Sequence, residues 1–323
     1  IDREAQLPQE ILDEAWDLGL FGMIIPQEYG GAGLSMAAYC RVIAELTPYD
    51  AATAITVGAH QSIGIKGLLR FGTDEQKKKY LPDLSAGKKI GAYGLTEPGA
   101  GSDAASVKST AVLDPSGEFY VLNGSKQWIT NAGIADLFTV FAQTLVEVKG
   151  QKENRITAFI ITRDMAGFST GKDEDKMGIR GSHTNPMKFE SVKVPKENVL
   201  GEAGGGFKVA LEILNEGRLG IAAGCVGVSH RLIALAATFA KEREQFGKPI
   251  GRFELIKEKF ADMATSTFIA ESMVSLTAGL ADRKIKDFAL ESAACKIYAS
   301  EALWQNVNHA LQIYGGNGYM REY

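Results

Sequence analysis

The feature that most limits the fold of this chain is a hydrophobic period that changes twice. Over residues 8–88 the apolar side chains recur at helical spacing, with Ile11, Leu12, Ala15 and Trp16 on one face. Near residue 90 the pattern shifts to short runs rich in β-branched and aromatic residues: GAYGLTE, STAVLD, EFYVLNGSKQWIT, LFTVFAQT, ITAFIITRD and PMKFESVKVP. Turn signals at Asp114-Pro-Ser-Gly and Asn123-Gly separate them. From Gly206 the helical period returns in long segments near 206–241, 252–282 and 287–314. The order predicts an α+β protein: an N-terminal helical domain over 1–89, a middle antiparallel β-barrel or sandwich over 90–203, and a C-terminal helical bundle over 204–323. No helix lies between the strands, which argues against a parallel sheet. Three helices rarely close a bundle, so this one is expected to be incomplete at Tyr323.

Local signals refine that outline. Pro8 suits a first helical turn, Ser35 can cap a second helix, and 51–70 reads as one buried helix. Thr73 with Asp74 and Glu75 opens another helix, reaching about Ser85. The chain starts at Ile1 and stops just after a Gly-rich turn, so it reads as a fragment at both ends.

Composition excludes some functions. The net charge is −4 and no basic stripe interleaves with aromatics, which leaves nucleic acid an unsuitable partner. No uninterrupted apolar run reaches the ~18 residues of a membrane span. The best stretch, 221–240, carries His230 and Arg231. Cys40, Cys225 and Cys295 are odd in number, widely spaced and in helical patterns. That disfavours a disulfide framework or metal site and favours buried, reduced thiols. His60, His183, His230 and His309 have no metal-ligand spacing.

GLTEPGAGSD, residues 94–103, raises a sharper question. Gly99, Gly101 and Ala104 match a dinucleotide fingerprint, but that motif requires a following helix. Here ASVKSTAVLD follows and reads as strand. Two readings stay open: an ordinary surface turn, or backbone N–H groups freed by glycine to approach an anionic or carbonyl-rich ligand.

Four segments occur in sequence: YGLTEPGAGSD, NGSKQWITN, EREQFGKPI and LQIYGGNGY. In that order and spacing the chain resembles the acyl-CoA dehydrogenases over essentially its whole length. GAHQSIGIKGLLRFGT, GSDAAS and LTAGL most resemble the very-long-chain branch. The resemblance implies α,β-dehydrogenation of a long-chain acyl-CoA to the trans-2-enoyl-CoA. A carboxylate takes the α-proton while FAD accepts the β-hydrogen, and electrons pass to an electron-transfer flavoprotein. A low-activity assembly scaffold or an acyl-CoA oxidase on the same fold are the competing readings.

By resemblance, Tyr93, Leu95, Thr96 and Ser102 line the flavin, with Thr96 bonding its pyrimidine edge. Trp128, Ile129 and Thr130 cover and bond the ring. Arg243, Phe246, Gln312, Gly315 and Gly316 match positions that contact the flavin of a neighbouring subunit, which implies a homodimer or homotetramer. Ser102, Ser182, Leu214, Asn215 and Arg218 match acyl-CoA contacts. Gly58 and Ala59 fall where medium-chain relatives carry bulkier residues, which implies a deeper tunnel. The family's usual catalytic Glu is expected beyond Tyr323, so the catalytic residue is unknown here. A minority branch sets its base at the position of Gly217, one residue from Glu216, and Gly217 leaves space for a base from elsewhere. Glu254 stands where many relatives have Gln; it either points away from the phosphates or marks a local slip in the match. The implied location is the cytoplasm if bacterial, the mitochondrial matrix if eukaryotic, with membrane association only through a C-terminal extension.

Overall fold

The computed structural model describes residues 1–285 and 287–322. Its helices are α1 (Gln9–Asp17), α2 (Met36–Leu46), α3 (Ala51–Ala59), α4 (Lys66–Phe71), α5 (Asp74–Ser85), α6 (Gly206–Glu242), α7 (Glu254–Asp282) and α8 (Ala289–Tyr314). Its strands are β1 (Gly91–Gly94), β2 (Thr110–Leu113), β3 (Phe119–Thr130), β4 (Leu137–Val148), β5 (Gln151–Thr162), β6 (Phe168–Thr170), β7 (Thr184–Pro195), β8 (Val199–Leu200), β9 (Glu244–Gln245) and β10 (Lys248–Pro249). The expected helix–strand–helix order is present. The chain forms two compact units, one of Ile1–Leu34 with Ala52–Gly217, the other of Ser35–Ala51 with Arg218–Tyr323.

In the first unit the core joins helices to sheet. Ile65, Leu68, Leu81, Leu84, Phe141 and Ile160 are fully buried members of one cluster. The sheet runs β6-β7-β3-β2-β4-β5-β8, with β1 also on β4. Its ends do not meet, so the expected barrel is not closed. Nor is it purely antiparallel. β1 lies parallel to residues 137–140 of β4, and Thr110 of β2 lies parallel opposite Gln143. Thus β1 and β2 occupy successive lengths of one edge of β4, heading the same way. The intervening residues 95–109 are an excursion from what is otherwise one interrupted strand. Pro98 lacks the N–H that a ladder needs, which suits departure from the sheet there.

Three local expectations change. Asn123-Gly does not turn the chain: β3 runs through it with a register shift between Leu122 and Gly124. The helix read over 51–70 is broken by a π-helical turn at His60–Gly64. His60 there is fully buried: Gly91 N donates to Nδ1 at 2.9 Å, and Nε2 lies 3.0 Å from the Phe21 carbonyl. Burial pushes its pKa down to about 4. Thirdly, α6 is long and apolar enough to cross a membrane, although half of its apolar window is buried in the protein, as in a core helix.

The second unit is helical. Ala236, Ala240, Met263, Ala310 and Ile313 form its buried cluster. Ser35 accepts the Ala38 N–H as an N-cap, and Asp282 accepts from Met36 N (2.6 Å) and Ala37 N (3.1 Å). The start of α2 is thereby satisfied twice over. All three cysteines are free thiols, with Cys40 and Cys295 buried and Cys225 half-buried.

Candidate functional site

Within the first unit the GLTEPGAGSD segment follows β1 directly. Glu97 and Ala100 exchange backbone hydrogen bonds at 3.0 Å, forming a tight turn over Pro98 and Gly99. A three-residue 3₁₀ turn at Ala104–Ser106 then leads to β2, and no longer helix follows. A dinucleotide turn is therefore absent. Added side-chain carbons at Gly99 and Gly101 would meet nothing within 4 Å, so this backbone lies open to a ligand. Ser102 is exposed beside it, and Thr96 is half-buried.

β3 brings the second motif to this loop. Gln127 N donates to the Thr96 carbonyl at 2.9 Å. The β3–β7 register shifts between Lys126 and Ile129, so Trp128 sits in a bulge. Its φ is +58° and the residue is 59% exposed. A bulky aromatic in the left-handed region is strained, and such outliers cluster at functional positions. Ile129 is buried and Thr130 half-buried. The hydroxyls of Thr96 and Thr130 have no hydrogen-bond partner among the described residues. Tyr93 and Leu95 are buried beside this loop. The Tyr93 ring packs 5.1 Å from Phe141, and its hydroxyl donates to the Ala210 carbonyl at 3.3 Å.

Sequence reasoning passed over Glu97 and Lys126. Both are buried, with Lys126 Nζ 2.6 Å from Glu97 Oε1 and donating to the Leu95 carbonyl at 3.3 Å. Glu97 also accepts from Lys108 N (2.6 Å) and Ser109 N (3.0 Å). Burial alone would raise the Glu97 carboxyl, but hydrogen bonds from Lys126, Ser109 and Lys108 outweigh it and hold the pKa below the usual range. Burial lowers the Lys126 pKa, against the opposing pull of Glu97. The sequence signal was a charge at an inward position of a strand, two residues before Trp128.

Ser182 adjoins the end of β3, because the His183 carbonyl accepts from Asn131 N at 2.9 Å and Thr184 pairs with Thr130. Ser182 is buried, its hydroxyl donating to the Ile179 carbonyl at 3.1 Å. Leu214 and Asn215 are half-buried on α6, and Asn215 has a partner. Gly58 and Ala59 are half-buried at the end of α3. Glu216 is buried and ion-paired with Lys66 and with Arg70 Nε at 3.3 Å. Gly217 does more than leave room. A Cβ there would stand 2.9 Å from Ile63 Cγ2, so the glycine lets α6 approach the π-helical turn.

The second unit carries the remaining predicted residues. Arg218 is half-buried and has a partner. Beyond α6, β9 and β10 form a hairpin turning at Phe246-Gly247. Phe246 stands at its tip, 92% exposed with φ +53°. Arg243 at the hairpin base is exposed, as are Gln312, Gly315 and Gly316. Phe239 stacks on Tyr314 at 4.2 Å, which brings the ends of α6 and α8 together and groups these residues at one end of the helices. Gly315 has φ +61° and ψ −134°, a conformation that needs glycine. Glu254 pairs with Lys257 at 2.9 Å in solvent, which holds its carboxyl below the usual range. A cleft of about 540 Å³ in this unit is lined by Cys40, Ala44, Val226, His230 and Glu271 among others, and by none of the predicted site residues.

These residues suit a flavin by their chemistry. An exposed indole beside two unpartnered hydroxyls and an open backbone turn offers a wall, edge donors and room for an anionic group.

Three family models match the chain: acyl-CoA dehydrogenase N-terminal domain at 1–88, middle domain at 92–192 and C-terminal domain at 204–323. The mitochondrial very long-chain specific acyl-CoA dehydrogenase of Bos taurus is 49% identical over 308 residues, 95% of this chain and 47% of that protein. The chain thus spans about half the length of that relative. Butyryl-CoA dehydrogenase from Megasphaera elsdenii superposes with a TM-score of 0.93 at 41% identity, covering 100% of this chain and 84% of that one. An acyl-CoA dehydrogenase complexed with FAD from Bacillus anthracis gives 0.89 at 44% identity, covering 97% and 55%.

Proposed function

The chain belongs to the acyl-CoA dehydrogenase family, and from that premise we propose that its protein performs FAD-dependent α,β-dehydrogenation of a long-chain acyl-CoA thioester to the trans-2-enoyl-CoA. The observation that carries the proposal is Trp128, exposed in a strained bulge beside the open turn at 97–101. Bound FAD would supply the two-electron acceptor that no side chain provides. Trp128 would wall the ring, Ile129 back it, and the Thr96 and Thr130 hydroxyls would donate to its polar edge. Tyr93 and Leu95 would act as the packed floor. Ser102 would face a phosphate or ligand oxygen.

Arg243 would offer its guanidinium fork to the pyrophosphate of a cofactor bound by a second copy. Phe246, Gln312, Gly315 and Gly316 would complete that contact, making the protein a homodimer or homotetramer. Ser182, Leu214, Asn215 and Arg218 would bind and orient the acyl-CoA. Excluding water around the thioester carbonyl would strengthen each hydrogen bond that stabilises the enolate-like charge. Glu216 is not assigned as the base, because Lys66 and Arg70 already engage its oxygens.

A long acyl chain is favoured by small residues at 58 and 59 and by the similarity to a very-long-chain relative. The electron acceptor we propose is an electron-transfer flavoprotein. The proposal carries with it the segment divisions 1–89, 90–203 and 204–323. It also carries a location in the cytoplasm if the source is bacterial, or the mitochondrial matrix if eukaryotic.

The test is anaerobic mixing of the complete natural chain, purified with its flavin, with saturated acyl-CoAs of increasing length. Bleaching of the flavin absorbance, fastest with long chains, is expected. A colourless protein that takes up no FAD, or no bleaching at any length, would overturn the proposal. Reoxidation by air as fast as by an acceptor flavoprotein would mark an oxidase instead.

A further inference from the structure

Beneath the loop and strand that carry Thr96 and Trp128 lies a charge pair that none of the proposed contacts uses. Lys126 has no exposed side-chain surface and Glu97 only 6%, so neither reaches a ligand directly. Their hydrogen bonds converge on the strand excursion. Lys126 holds the Leu95 carbonyl and the Glu97 carboxylate at its start, and Glu97 holds the N–H groups of Lys108 and Ser109 at its end. One carboxylate thus closes the base of the 95–109 loop, and one ammonium clamps that base to β3. Gln127 N to the Thr96 carbonyl adds a backbone link one residue away. Immediately after these clamps comes Trp128.

A well-packed apolar pair of similar volume would be as stable as a buried ion pair, or more so. What the charges add is direction: the ammonium and carboxylate must meet specific backbone groups, and so they fix one register of loop against strand. Resting on the FAD reading above, we propose that Glu97 and Lys126 are positioning residues for the flavin, holding Thr96 and the open turn at 97–101 in fixed register with Trp128 and Thr130. The pair never touches the cofactor. It sets the affinity and the chiral environment of the ring by holding the residues that do.

The test uses the complete natural protein, stripped of FAD and reconstituted. FAD affinity is read from quenching of flavin fluorescence, the surroundings of the ring from visible circular dichroism, and fold integrity from thermal unfolding of the apoprotein. The double variant Glu97→Gln with Lys126→Met removes both charges together, so neither is stranded. It is expected to fold, to bind FAD at least tenfold more weakly, and to give an altered flavin dichroism. Native affinity and native dichroism in the double variant overturn the inference. Should that variant fail to fold, Glu97→Asp keeps the charge and withdraws the carboxylate by one methylene. At least threefold weaker binding with altered dichroism is then expected, and native values overturn the inference. A natural protein that takes up no FAD overturns the functional reading and this inference together. One that binds FAD while the variants bind it equally overturns this inference alone.

Discussion

The two groups of proposed flavin contacts are built in opposite ways. In the first unit they stand on a loop and a strand cross-linked by the Glu97–Lys126 pair and by Gln127 N to Thr96 O. In the second unit Arg243, Phe246, Gln312, Gly315 and Gly316 are all exposed at the ends of helices. There only the platform is fixed, by the Phe239–Tyr314 stack and the hairpin ladder. Both groups contain a strained backbone position, Trp128 in one and Phe246 in the other. The difference teaches that conformation is set in advance in both, whereas a buried ion pair underlies the first group and the second is exposed throughout.

The contrast can be broken at its strongest point first. Lys126→Met alone strands a buried carboxylate and should lower unfolding free energy by about 3–5 kcal/mol in denaturant titration. A loss below ~1 kcal/mol would mean that charge does not tether the loop. Acid offers the next test. His60 is held neutral with its pKa lowered to about 4, so between its unfolded value near 6.5 and 4 the unfolded chain binds more protons. Stability should therefore fall as pH drops through that window, by about 3 kcal/mol in all, and be unaffected by this group above it. Amide exchange should show β1 and residues 21–25 loosening before α7, and His60→Gln should flatten the slope above about pH 5, leaving the part due to carboxylates such as Glu97. Trp128→Asn should relieve left-handed strain, raising stability by roughly 1 kcal/mol while weakening FAD uptake. Equal or lower stability would remove strain from the account of that bulge. Phe246→Ala should change stability by less than about 0.5 kcal/mol, yet shift sedimentation towards smaller species. An unchanged oligomer would take Phe246 out of any subunit contact.

The order of elements was legible because period reports directly on secondary structure. Thr73 read as a helix start and forms a capping box with Gln76; Ser35 read as a cap and is one. What failed was long-range pairing. That β1 and β2 share one edge of β4 depends on partners about thirty to forty-five residues away, and local pattern carries no such information. Asn123-Gly looked like a turn because the dipeptide favours one, but β7 pairs along both sides of it and holds the strand through. In the candidate site, Thr96 and Trp128 were singled out through resemblance, and the strain at Trp128 was invisible to it. Glu97 and Lys126 were missed because charges are normally read as solvent-facing, and only tertiary structure shows them meeting in the interior.

The partition of the backbone has a practical consequence for anyone recombining such proteins. Residues 35–51 belong to the second unit although their neighbours in sequence on both sides belong to the first, and α2 begins on hydrogen bonds to Asp282. A chimaera spliced at residues 203–204 would therefore inherit α2 from one parent and its capping carboxylate from the other. Crossovers that keep 35–51 and the C-terminal helices from the same parent should yield far more soluble progeny than a simple swap of halves.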